Sequence, residues 1–141
     1  MLGSRTKNLM ETLQNSQELD AVLTEHSESF IACSLPQALE ELLETKNLRR
    51  AQVIRNAMLN PIYGQQIFSG VRTPSRNKLL SIAFGMELNL QETDTLLKQQ
   101  GYPQLYPRQE RDAVIIYGLL HGWPLMDVNT ALYEREMDTL S

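Results

Sequence analysis

Seven of the thirteen lysines and arginines fall within residues 45–78, as Lys46, Arg49, Arg50, Arg55, Arg72, Arg76 and Lys78, and no aspartate or glutamate lies among them. The other six bases share the rest of the chain with all seventeen acids, so the overall charge of −4 conceals a strongly cationic stretch. Cations at this density can take up the phosphates of a polyanion, while an acidic remainder keeps the molecule soluble and repels wrong partners. Between the two halves of the cluster lie Ile62, Tyr63, Gln65, Gln66 and Ser69. Their amides and hydroxyls can donate and accept hydrogen bonds.

Other chemistries have little to build on. His26 stands in an acidic segment and His121 near a predicted helix end, and neither has a nucleophile motif such as G-x-S-x-G beside it. Asp127 and Glu134 are seven apart and share a helix face, where two carboxylates read as solvated surface. No catalytic activity is therefore expected. The single cysteine, Cys33, forms no internal disulfide and shares no metal-ligand spacing with the two histidines, so neither a structural metal nor a cofactor is expected. No run approaches the roughly 18 apolar residues of a membrane helix, and residues 1–10 lack the apolar core of a secretion signal. These features predict a cytoplasmic protein without a membrane partner.

Helices must position the cationic stretch, because no segment alternates apolar and polar residues over a useful length. Ser34 with Gln37 reads as a capping pair for a first helix with Leu35, Leu39, Leu42 and Leu43 on one face, ending near Lys46-Asn47. A second begins at Leu48 or Arg49, with Val53, Ile54, Ala57 and Met58 as the side chains expected to turn inward. Asn60 as N-cap and Pro61 at the first helical position open a third, Pro61 to Ser69, which Gly70 ends by taking the left-handed conformation. Thr73-Pro74-Ser75 opens a fourth, with Leu79, Leu80, Ile82, Ala83 and Met86 as its core face. Asn89 and Glu92 cap a fifth, which carries Leu96 and Leu97 and closes at Gly101. A connector with two prolines over residues 101–108 leads to two more helices, over 110–121 and 124–136, separated by Gly122. Residues 1–33 are acidic, with a weaker helical pattern around Leu9, Leu13, Leu19 and Leu23, and are expected to be helical or disordered. The expected fold is all-α: five helices over residues 35–101, with a two-helix extension over 102–141.

Residues 48–74, LRRAQVIRNAMLNPIYGQQIFSGVRTP, resemble the phage repressor and Cro-type helix-turn-helix family, the XRE family of bacterial regulators. The resemblance rests on Ile67 three residues before Gly70, a basic residue next, and Pro74 before a helix carrying Leu79, Ile82 and Ala83. It extends over residues 35–101, about half of the chain. It implies a lambda-repressor-like fold and a cytoplasmic transcriptional regulator that binds double-stranded DNA. In that family the second motif helix lies in the major groove, where each base pair displays its own donor and acceptor pattern. That role falls on Pro61 to Ser69. With Ile67 inward, Ile62, Gln65, Gln66 and Ser69 are the base-contact candidates, a glutamine matching an adenine edge and Ile62 a thymine methyl. Arg50 matches a position from which family members grip the backbone, and Arg49, Tyr63, Arg72, Arg76 and Lys78 are further phosphate candidates. The chain departs from the family at two places: Ile54 stands where a small alanine is usual inside the first motif helix, and Met58 where a glycine is usual at the turn. Small residues there permit close helix crossing.

A repressor-type domain can also keep its fold as a protein-interaction adaptor without DNA binding. The absence of carboxylates from residues 45–78 favours DNA, and the sparse aromatics disfavour single-stranded RNA. One domain reads one half-site, so a homodimer is expected, with Val114, Ile116, Leu120, Trp123, Leu125 and Leu132 of the C-terminal pair as a candidate surface. Most of these are expected to pack back on the domain, with Trp123 as an exposed anchor.

Overall fold

The computed structural model describes residues 10, 11, 14 and 34–141. The readings made for residues 1–33, including those on Leu9, Leu13, Leu19, Leu23, His26 and Cys33, lie outside the described residues. Met10, Glu11 and Gln14 are helical and belong to a unit, Met1–Ala32, separate from Cys33–Ser141.

Within the second unit the described residues form helices and no strand. The helices are α1 (Leu35–Lys46), α2 (Arg50–Asn56), α3 (Pro61–Ser69), α4 (Arg76–Gly85), α5 (Leu90–Gln99), α6 (Glu110–Leu120) and α7 (Leu125–Glu134). No described helix is long and apolar enough to cross a membrane.

The starts follow capping chemistry. Ser34, Asn60, Ser75 and Asn89 each accept a hydrogen bond from a backbone N–H of the first turn, supplying partners that the helix cannot. At α5 the box is complete, with Glu92 accepting from the Asn89 N–H. Burial opposes ionisation of Glu92, but that N–H and the Lys46 ammonium outweigh it and lower its carboxyl below the ordinary value. The fourth helix begins at Arg76 rather than at Pro74, because Ser75 is the residue whose side chain caps it.

The ends share one device. Asn47, Met58, Gly70, Glu87, Gly101, Gly122 and Glu136 all have positive φ, one after each helix. At each, the left-handed residue donates to the carbonyl three back, and its successor donates to the carbonyl five before itself, as in Met58 N to Arg55 O and Leu59 N to Ile54 O. This double closure satisfies carbonyls that the last turn leaves open. Met58 therefore faces solvent at 48% exposure instead of turning inward.

The middle of the core is α4, in which every residue from Leu79 to Gly85 is buried. A helix buried all round needs neighbours on several sides, and α2, α5 and α7 supply them. α1 and α2 both pack on α3, and α6 packs on α5 and α7. Glycine permits close approaches to α4 and between α6 and α7: a Cβ at Gly85 would lie 2.7 Å from the Val53 carbonyl oxygen, and one at Gly118 would lie 2.6 Å from Val128 Cγ2.

The C-terminal extension is fastened to this core. Leu125, Val128, Leu132 and Leu140 are buried, and the buried Ser81 hydroxyl donates to the Asn77 and Leu140 carbonyls. Leu140 N–H donates to Asn129, and Arg111 donates to Asn77 and to the carbonyls of Asp138 and Thr139. Trp123 is half-buried, edge-on to Tyr117 at 5.1 Å. The most exposed large apolar side chains of this pair are instead Tyr133, Leu120, Met126 and Tyr117.

Candidate nucleic-acid interface

The interface candidate is built on α3. Its nine residues divide cleanly: Gly64, Ile67 and Phe68 are buried, while Ile62, Gln65 and Ser69 are exposed and Gln66 is half-buried. With about 3.6 residues per turn, positions 62, 65, 66 and 69 fall on one side of the helix. Those four side chains, with Pro61 and Arg50, line one shallow surface groove. Ile62 is 71% exposed, a large apolar side chain presented to solvent on an otherwise polar face.

Gly64 explains how α2 and α3 approach each other although α2 carries Ile54 where a small residue was expected. Ile54 is buried, and a Cβ added at Gly64 would lie 2.5 Å from Ile54 Cγ2 and 2.9 Å from Cγ1. The small residue at this crossing stands on α3, the facing helix. The turn itself is made by Met58 at φ 56°, the conformation for which glycine is usual.

The cations do not share one fate. Arg49 and Arg72 are exposed, Lys78 is half-buried, and none of them has a carboxylate within ion-pair distance among the described residues; the same holds for Arg55, which instead donates to Gln52. Three others are paired with acids from outside the cationic stretch. Lys46 lies 3.1 Å from Glu92, and Arg50 pairs with Glu40 of α1. The Arg50 guanidinium also donates to Gln65 Oε1 at 3.3 Å and lies over the Phe68 ring, 5.3 Å from its centroid.

Arg76 is committed elsewhere. It donates to both oxygens of the buried Asp112 carboxylate and to the carbonyls of Pro103 and Gln104, which ties α4 to the connector and α6. Its sequence-based role as a phosphate ligand is taken over by this structural one, because an unpaired buried carboxylate would be costly. Tyr63 is likewise half-buried against the core. Sequence reasoning missed Asp112, which also accepts from Tyr106 N–H, and Glu40; their partners lie 36 and 10 residues away, and no local pattern marks them.

Among the described residues no group of three or more histidines, cysteines, aspartates or glutamates is placed to hold a metal ion. Compared with protein families, curated proteins and solved structures, the chain matches none of them.

Proposed function

We propose that the protein is a sequence-specific double-stranded DNA-binding transcriptional regulator of the XRE type, in which α1 to α5 form a lambda-repressor-like helix-turn-helix domain and α3 reads the major groove. The observation that carries this reading is the one-sided face of α3. Ile62, Gln65, Gln66 and Ser69 line one groove, while Gly64, Ile67 and Phe68 anchor the helix from behind. A helix so mounted can enter a major groove about 12 Å wide. The pairing of α2 with α3 through the Ile54–Gly64 contact supports the same reading, since it supplies the close crossing that the motif requires. Arg49, Arg72 and Lys78 are the phosphate ligands in this arrangement, and a homodimer would bring two copies of α3 to two half-sites. Tyr117, Leu120, Met126 and Tyr133 are the apolar side chains free to serve it.

One observation favours a second reading, a protein-interaction adaptor that keeps the fold. Lys46, Arg50 and Arg76 are neutralised by Glu92, Glu40 and Asp112, so less of the cationic stretch remains for phosphates than the sequence promised. Salt dependence separates the two. Gel-shift titrations over a salt series should show affinity falling steeply with ionic strength, and Arg72→Ala should weaken binding to every duplex and lower the log–log slope by about 0.9. An affinity indifferent to salt, or absent for all duplexes, favours the adaptor.

A further inference from the structure

We infer that a cleft bordered by the turns after α2, α4 and α6 is a binding site for a small aromatic amine, whose apolar body lies against Phe84 and Trp123 and whose ammonium pairs with Glu87. This cleft shares no lining residue with the groove on α3, so the inference does not rest on the DNA-reading function.

The cleft arises from the way the helices end. Met58, Glu87 and Gly122, three of the left-handed residues that stop helices, all line it. Each reverses the chain just past a helix end, and the three turns border a space of about 690 Å³, partly open to solvent and lined mainly by apolar surface. Pockets of roughly 300–1,000 Å³ hold small organic molecules. The floor belongs to the core: Phe84, Leu88, Leu119 and Leu125 are buried, so packing fixes its shape. The C-terminal extension contributes Trp123, half-buried, and Met126, 63% exposed. Gly118 keeps the aromatic part open. A Cβ there would lie 3.4 Å from both Phe84 Cε1 and Trp123 Cε3, so the two rings border a spot that no side chain fills.

Charge selects the class of ligand. Glu87 is exposed, and no other charged residue lines the cleft. Among the described residues no lysine or arginine lies within ion-pair distance of Glu87. An anionic ligand would therefore meet a carboxylate with no cation to offset it. A cation would meet that carboxylate together with aromatic rings, whose faces attract positive charge. An apolar body suits the rest, because covering Phe84, Trp123 and Met126 removes apolar surface from water.

The test uses the full chain and three molecules with one body and different heads: 4-phenylbutylamine, 4-phenylbutanol and 4-phenylbutyrate. Trp123 is the single tryptophan, so its emission reports occupancy of the cleft. The amine should change that emission saturably, with a dissociation constant of about 1 mM or lower. It should bind at least about threefold more tightly than the alcohol, and the butyrate should bind more weakly than either. Glu87→Gln should bring the amine to the level of the alcohol and leave the alcohol's own binding unchanged, while Glu87→Lys should invert the order in favour of the butyrate. An inverted order cannot come from loss of folding. Three outcomes overturn the assignment: no saturable change with any of the molecules, an order that Glu87→Lys leaves as it was, or an emission that varies with protein concentration and not with ligand. The last would mean that a second copy of the chain covers the cleft. None of them bears on duplex binding, which is measured separately.

Discussion

Replacing Gly64 by valine is expected to destabilise the protein by about 1–3 kcal/mol, and combining it with Ile54→Ala is expected to recover much of that loss. The Ile54 methyl groups occupy the space that a Gly64 side chain would need, at 2.5 Å from the site of its Cβ. Overpacking a filled core costs this much because neighbours must leave their preferred rotamers, and a β-branched neighbour such as Ile54 yields least. Ile54→Ala alone opens a cavity and should cost about 2–5 kcal/mol. In the double variant the new valine fills that cavity, with the small residue now on α2 and the large one on α3. Urea denaturation of the four proteins should therefore give a double-variant cost at least ~1 kcal/mol below the sum of the single costs, within the range found for residues in contact. Strict additivity would mean that the two side chains do not share space, and the account of how α2 and α3 cross would fail.

Asp112→Ala should cost about 3 kcal/mol, since it strands the Arg76 guanidinium and the Tyr106 N–H without their acceptor. Arg76 keeps some contact with water, its side chain being 21% exposed, which places the cost at the lower end of that known for broken buried pairs. Asp112→Asn retains one acceptor oxygen and should cost less. The same pair separates structural cations from phosphate ligands. Arg76→Ala should lower the denaturation midpoint and leave the salt slope of duplex binding unchanged, whereas Arg72→Ala should do the reverse. An Arg76→Ala protein of unaltered stability but flattened salt dependence would return Arg76 to the set of phosphate ligands.

Local chemistry made much of this architecture legible. The caps Ser34, Asn60 and Asn89 and the stops at Asn47, Gly70, Gly101 and Gly122 can be read because each conformation is filled by a residue type that favours it. Three further stops use the same backbone geometry with Met58, Glu87 and Glu136. These side chains carry no such signal, and Met58 accordingly looks like a core residue in the sequence. The outward face of α3 is also legible, because Ile67 and Gly70 fix which side of a two-turn helix is buried. Pairings between distant residues are not. Nothing near Arg76 announces Asp112, and nothing near Arg50 announces Glu40, so seven cations in a row read as one surface although folding draws three of them into ion pairs. Trp123 is a similar case: its size suggests an anchor for a partner, yet Tyr117 and the crossing of α6 with α7 already half-bury it.

The exchange of sizes between Ile54 and Gly64 has a further physical meaning. Two helices cross closely when one of them is small at the contact, and the contact itself does not specify which. Here the small residue, Gly64, stands on α3 and the large one, Ile54, on α2.

Exposure of the full chain to a pool of random-sequence duplexes at physiological salt, with the bound fraction recovered and sequenced over several rounds, asks most directly whether α3 reads DNA. Convergence on one motif, with Ile62→Ala or Gln66→Ala altering preferred bases without abolishing retention of duplex, is the expected result. Rounds that end with a pool as random as the first would contradict it.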